Sequence, residues 1–397
     1  MHLSQESVRR VMLAAQGLST PPTTPAAKGD LLACIKQMGY LQIDTIQAVH
    51  RSQYLVLWSR LGDYDPDWLD ELQEEGHLFE YYAHALCYLP IEDCPVFRGR
   101  MLSGKHASNW WKEWADAHPD IVQHVREVVE EHGPISSSDF DSPTVPDGWG
   151  DVKQEKRALS HLFSTGELMI PYRKKFRRYF DLQERVLPDW DDAQMLDDEA
   201  ARDVLVLKTI KAHGLTREDW IAPYYYLQKT GISETLDRLA ADGKIEQVKV
   251  EGWDVPAYFH RDHKILIDAA AKEELVPTHT TLLSPFDPLI SDRERTLSLF
   301  NFDYKMESYV PAKDRICGYF CLPILHNGTL IGSLDPKAHR RQKRMEIKNI
   351  FLEPGIAIEE DLVSALNSTL ADFTRWHGMK LLEIVATDPP VLLEALT

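Results

Sequence analysis

The chain has 397 residues, 44% hydrophobic and 27% charged, with 44 lysines and arginines against 62 aspartates and glutamates, a formal net charge of −18. This length and composition suit a soluble protein of several domains and exclude wholesale disorder, collagen-like repeats and a disulfide framework. No stretch approaches the ~18 uninterrupted apolar residues of a membrane span, so neither a span nor a membrane partner is expected.

Residues 8–16 and 30–38 read as helices on either side of a Pro/Thr-rich loop at 19–27, and an extended segment at 41–46 follows. A helical pattern then ends at Gly76 in Leu69-Asp70-Glu71-Leu72-Gln73-Glu74-Glu75-Gly76-His77-Leu78. Residues 120–131, 136–140 and 153–165 read as helices, and the last ends at Gly166 with the same spacing, Leu159, Leu162, Gly166 and Leu168. After an acidic linker at 189–199, residues 197–213, 216–226 and 232–241 read as helices. The third of these repeats the spacing as Leu236, Leu239, Gly243 and Ile245, ahead of extended runs at 244–250 and 255–260. Leucines three apart share one helix face, and a glycine just past the end adopts the left-handed conformation that stops a helix. Helices that end this way and feed a hairpin predict winged helices, here three in tandem.

From about Pro277 the period shortens to two, with strands expected at 280–283, 316–324, 329–334 and 344–353 and an Asn327-Gly328 hairpin turn,. Met345, Ile347 and Phe351 are expected on one face, and 359–376 is expected to close the chain as an amphipathic helix. The fold class is thus α+β: three winged helices at 1–117, 118–190 and 191–270, then a small antiparallel β-barrel with its closing helix at 271–397.

Two basic clusters stand out from the acidic background. One is Arg173-Lys174-Lys175-Phe176-Arg177-Arg178, five cations in six residues on the expected second wing; the other is Lys337-Ala338-His339-Arg340-Arg341-Gln342-Lys343-Arg344. Either cluster suits a phosphate backbone, and a solvated turn is the alternative. Lys174, Lys175, Arg177, Arg178, Arg340 and Arg341 are the candidate DNA contacts. No zinc, P-loop, dinucleotide or nucleophile-elbow signature is present, so neither metal nor cofactor is expected. The first residues carry no signal-peptide pattern. The five cysteines, Cys34, Cys87, Cys94, Cys317 and Cys321, contain no CxxC pair, which points to a reduced, cytoplasmic setting. Nothing suggests an obligate dimer, and a monomer is expected.

In Leu41-Gln42-Ile43-Asp44-Thr45-Ile46, extended backbone would turn Leu41 and Ile43 to the core and present Gln42 and Asp44 together on the open side. Asp44 to Gln47 also reads as a capping box for a following helix.

This segment, with Arg51-Ser52-Gln53-Tyr54-Leu55-Val56-Leu57-Trp58-Ser59-Arg60-Leu61-Gly62, resembles the YcaQ (AlkX) family of DNA glycosylases, relatives of AlkZ that act on interstrand crosslinks. Glu80-Tyr81-Tyr82-Ala83-His84-Ala85, Leu187-Pro188-Asp189-Trp190-Asp191-Asp192 and Leu283-Ser284-Pro285-Phe286-Asp287-Pro288 support the resemblance, which runs over roughly residues 5–377. It implies tandem winged helices with a C-terminal β-barrel, damaged double-stranded DNA as partner, and Gln42 and Asp44 as the catalytic pair in a Gln-apolar-Asp motif. An N7-alkylated guanine is already cationic and leaves as a neutral base, so the enzyme must chiefly steady the oxocarbenium-like sugar and direct a water. Arg51 and Ser52, just downstream, are expected to contact phosphates. The competing reading is a winged-helix transcriptional regulator with Asp44 as a mere cap.

Overall fold

The computed structural model describes residues 2–104, 109–146 and 151–396. They form two compact units, Met1–Asp65 with Val206–Thr397, and Pro66–Leu205.

All three leucine–glycine repeats end as the sequence predicts, and in the same way. Gly76, Gly166 and Gly243 have φ of 76°, 74° and 65°. The N–H of the next residue returns to the carbonyl of the motif's second leucine: His77 to Leu72 at 2.9 Å, Glu167 to Leu162 at 3.0 Å and Lys244 to Leu239 at 2.9 Å. This 6→1 bond is the Schellman closure that satisfies otherwise orphaned helix carbonyls. The leucines of each motif and the apolar residue after its glycine are all buried. At Gly166 the need for glycine is doubled, because a Cβ there would lie 2.7 Å from the Met101 Cβ.

Each of these helices feeds an antiparallel hairpin. In the Pro66–Leu205 unit the hairpins are Leu78–Tyr82 with Leu86–Pro90, and Leu168–Lys174 with Arg177–Leu182. In the other unit Ile245–Val250 pairs with Ala257–His260, and the N-terminal strand His2–Leu3 adds to it in parallel. Residues 136–140 are not helical. Asp139 Oδ2 accepts the Ser136 N–H at 2.9 Å, a local side-chain bond that stabilises a turn in competition with helix.

The N-terminal helix Gln5–Ala15 contributes Val8, Val11 and Met12 to a core shared with Val248, Phe259, Ile267, Leu289 and Leu299. The C-terminal strands form one six-stranded, curled half-barrel sheet. Thr280–Leu282, Leu322–His326, Thr329–His339 and Arg344–Leu352 run antiparallel. Asn327 and Gly328 both have positive φ, 46° and 86°, as a type I′ hairpin turn requires.

Three expectations for this region need correction. The strand expected at 316–324 begins only at Leu322, and residues 316–321 are irregular. The sheet is mixed rather than antiparallel, because the tail strands Leu381–Ile384 and Thr387–Asp388 pair in parallel with Arg344–Leu352. Phe351 does not share the face of Met345 and Ile347. The register slips between Leu334↔Ile350 and Pro336↔Ile347, and this bulge reverses the parity so that Ile350 is buried in its place,. The closing helix Glu360–Trp376 lies where expected, and its Phe373 and Trp376 rings meet Trp58 at 5.0 and 6.2 Å. The packing sets its C-terminal end beside the helix Ser52–Leu61.

Candidate active site

Burial alternates along residues 41–44 as predicted: Leu41 and Ile43 are buried, Gln42 and Asp44 half-buried. In extended backbone that pattern puts Gln42 and Asp44 on the same, open side. The strand itself is short, Leu41–Gln42, and the next helix starts only at Ser52. Asp44 therefore caps no helix. It closes an Asx turn, its Oδ1 accepting the Ile46 N–H at 2.7 Å,. One carboxylate oxygen is fixed by the turn, and the turn makes no use of the other. Burial raises the Asp44 carboxyl above its ordinary range, and the Ile46 N–H offsets part of that rise,.

Side chains that sequence patterning did not single out complete the surroundings. Gln53, in the first turn of the Ser52–Leu61 helix, is fully buried, and its Oε1 accepts the Asp44 N–H at 3.3 Å. His50 sits at the end of the same loop, its ring 4.6 Å from Tyr54, 5.3 Å from Trp376 and 5.8 Å from His377, centroid to centroid. Its Nδ1 accepts the Arg51 N–H at 3.0 Å, which leaves the ring proton on Nε2. Burial first, then repulsion from His377 when that ring is charged and from the cations Arg340 and Arg51, push the imidazole down to about 3. His377 donates from Nδ1 to the Phe373 carbonyl at 2.7 Å, and burial pushes it down to about 4. Both rings are neutral at physiological pH.

The predicted DNA contacts divide by burial. Arg340, in the exposed turn of the C-terminal sheet, donates to the Val49 carbonyl at 2.9 Å, so the second basic cluster lies against the 43–51 loop. Arg341 beside it is exposed and Arg51 is half-buried. Ser52 is a correction: it is fully buried, and its hydroxyl hydrogen-bonds that of Ser284 rather than facing a phosphate.

On the basic hairpin, Lys174, Lys175 and Arg177 are exposed. Arg178 is half-buried with its guanidinium 5.1 Å from the Phe180 ring centre, and burial lowers its pKa. Arg173 is buried and bidentate to Glu80, with both N–O distances 2.6 Å. The hairpin tip, Lys175 and Phe176, has φ of 51° and 68°, a region that side chains other than glycine enter at a cost. Across the strands Lys174 faces Arg177, a pairing that repels, whereas Arg173 faces Arg178 with Glu80 neutralising it. Strain and the Lys174–Arg177 pairing at this tip both oppose stability.

A family model described as DNA glycosylase AlkZ-like matches residues 35–376. The chain belongs to the AlkZ-like DNA glycosylase family. Among solved structures, the Streptomyces sahachiroi DNA glycosylase AlkZ is similar in fold, with a TM-score of 0.65 at 15% identity over 97% of this chain and 99% of that one. This AlkZ-like glycosylase is thus a DNA-repair hydrolase acting on N-glycosyl bonds, with DNA as its substrate. Among the described residues no helix is long and apolar enough to cross a membrane.

Several segments that carry the family resemblance prove to be struts of the glycosylase. Asp287, in Leu283–Pro288, is fully buried and bidentate to Arg60 at 2.6 and 3.0 Å. Glu80 holds Arg173 and accepts from Gln73 Nε2 at 3.1 Å. Asp192 accepts from Trp190 Nε1 and Arg98 Nε, both at 2.8 Å. That last bond anchors the acidic linker at 189–199, most of whose residues are exposed.

Proposed function

We propose that this glycosylase hydrolyses the N-glycosidic bond of N7-alkylated guanine, removing monoadducts and unhooking interstrand crosslinks, with Asp44 and Gln42 as the catalytic pair. The observation that carries the reading is the setting of Asp44: a half-buried carboxylate, held by the Ile46 N–H in an Asx turn just past a short strand, sharing its open side with an amide. An N7-alkylated guanine brings its own positive charge, so its departure needs no general acid. A single ionised carboxylate suffices to stabilise the developing sugar cation and to orient or deprotonate the attacking water, while Gln42 holds water and carboxylate by hydrogen bonds.

A base crosslinked to the opposite strand cannot swing freely out of the stack. We therefore read the hairpin Leu168–Lys174/Arg177–Leu182 as a wing that grips the duplex backbone, and residues 118–190 and 191–270 as winged helices. Supporting this are the bridges Ile135↔Phe180 and Thr216↔Tyr258, which add a third extended segment to each hairpin. The 232–241 helix is a poor base reader, since its one arginine, Arg238, bonds Thr235 in its own first turn. That disfavours the transcriptional-regulator reading.

The test of the activity is single-turnover cleavage of duplex DNA carrying one 7-methylguanine or one N7-linked crosslink, scored as abasic sites. Absence of abasic product from the wild type on both substrates refutes the lesion assignment. For the wing, simultaneous Ala replacement of Lys174, Lys175, Arg177 and Arg178 is expected to weaken duplex binding about 10-fold or more and to flatten the log Kd against log salt slope by about 2–3. Binding at wild-type strength with an unchanged slope removes the wing from the interface. The surrounding acidity predicts weak, steeply salt-dependent binding of undamaged duplex.

A further inference from the structure

We propose that Gln53 is a positioning residue of the glycosylase reaction: its carbonyl holds the Asp44 main chain, and its NH2 group holds a water beside the Asp44 carboxylate. The proposal rests on the reading of Asp44 as the catalytic carboxylate.

Three observations carry it. Gln53 is fully buried. Its Oε1 accepts the Asp44 N–H at 3.3 Å, and this fixes the amide orientation, because the flipped amide would set two donors against each other. Its Nε2, in the same rigid planar group, is buried with no hydrogen-bond partner among the described residues.

A buried donor without an acceptor destabilises a fold. A residue kept only to brace the loop would do better with a group whose polar atoms are all satisfied. Such a donor is retained where an ordered water or the chemistry uses it, and Gln53 Nε2 belongs to the same amide that holds the Asp44 main chain. The helix position explains the reach. Gln53 lies in the first turn, and its side chain turns back to a main-chain N–H nine residues upstream. The loop bearing Asp44 is thereby closed onto the rigid Ser52–Leu61 helix.

Two substitutions separate the two roles. Gln53→Met keeps the side-chain shape but removes both hydrogen-bonding groups, and Gln53→Glu keeps an acceptor for the Asp44 N–H while removing the amide donor. Each would be compared with wild type in the full chain. The first readout is hydrogen exchange of the peptide covering 41–50 without DNA. The second is the single-turnover rate and Kd on 7-methylguanine duplex.

Gln53→Met is expected to speed exchange in that peptide about 10-fold and to slow the chemical step about 10- to 100-fold. Duplex Kd should stay within about twofold, and Tm should change little, because the unsatisfied Nε2 is removed while the Asp44 N–H loses its acceptor. Gln53→Glu is expected to keep wild-type exchange and still react slowly.

Wild-type exchange in the Met variant overturns the carbonyl role, and wild-type rate in the Glu variant overturns the water-holding role. A fall in Tm with exchange rising throughout the unit would assign Gln53 to structure alone and overturn both. Should the Met variant not fold, the Glu variant still decides the rate arm. If Asp44→Asn cleaves as fast as wild type, the underlying reading of Asp44 fails. If the wild type makes no abasic product, the lesion assignment fails, while the exchange arm still decides whether Gln53 fixes Asp44.

Discussion

Asp44→Asn is expected to slow abasic-site formation on an N7-alkylguanine duplex by about 10²–10³ in single turnover, by analogy with the loss of one preorganised electrostatic group at a reacting centre. The substitution is nearly isosteric. Asn Oδ1 can still accept the Ile46 N–H, so the Asx turn and duplex affinity should persist while the negative charge is lost. Equal product from wild type and variant would remove Asp44 from catalysis. The same carboxylate sets a pH signature. Because burial holds the Asp44 pKa above the ordinary carboxylate value, and the ionised form is the active one, the rate should fall with decreasing pH through an acid limb that lies higher than an exposed carboxylate would give. The limb should be absent from the Asn variant. His50 and His377, pushed to about 3 and about 4, add no titration near pH 6–7.

The largest stability effect is expected at Asp287. Asp287→Ala should lower the unfolding free energy of its unit by about 3–5 kcal/mol in urea titrations, because it strands the buried Arg60 guanidinium without its counter-charge. The pair is almost wholly enclosed, at 3% and 0% side-chain exposure. Burial opposes the Arg60 charge, and Asp287 more than restores it, so the pKa of the arginine stands above its usual value. Arg60 also donates to the Gln16 and Val56 carbonyls at 2.8 and 3.0 Å, which makes it the knot joining the N-terminal helix, the Ser52–Leu61 helix and the Leu283–Pro288 segment. The double replacement Arg60→Met with Asp287→Leu should be markedly milder than Asp287→Ala, since no charge is then left buried alone. A loss below about 1 kcal/mol in the single variant would show that the strut is dispensable. Activity should fall with stability here, because the helix held by Arg60 carries Gln53 and starts at the end of the Asp44 loop.

The glycosylase combines a net charge of −18 with exposed cations on two turns, 174–177 and 340–341. In such a molecule most of the surface repels a phosphate backbone, and binding is confined to the few places where cations outnumber acids. Arg340 lies beside the proposed site, since its bond to the Val49 carbonyl sets it against the loop that bears Asp44.

What could be read from the sequence alone depends on contacts within a few residues. The three glycine-stopped helices, the Asn327-Gly328 turn, the closing helix and the inside–outside alternation at 41–44 all follow from local backbone preference and periodic burial, and all are present in the fold. The family resemblance likewise rested on short segments. What only the tertiary structure decided are the pairings across long separations, where burial overrides local pattern. Arg173 reads as one of five wing cations until Glu80, 93 residues earlier, takes it out of solvent. Ser52 reads as a phosphate ligand until Ser284, 232 residues later, shares its hydroxyl. The bulge that exchanges Phe351 for Ile350, and the tail strands that join the sheet in parallel, arise from register between strands and leave no periodic trace. Gln53 differs from these, since it lies within the resembling segment and only nine residues from Asp44. Its role was hidden because the intervening loop has no regular period, and only the folded loop turns a buried glutamine onto the Asp44 main chain.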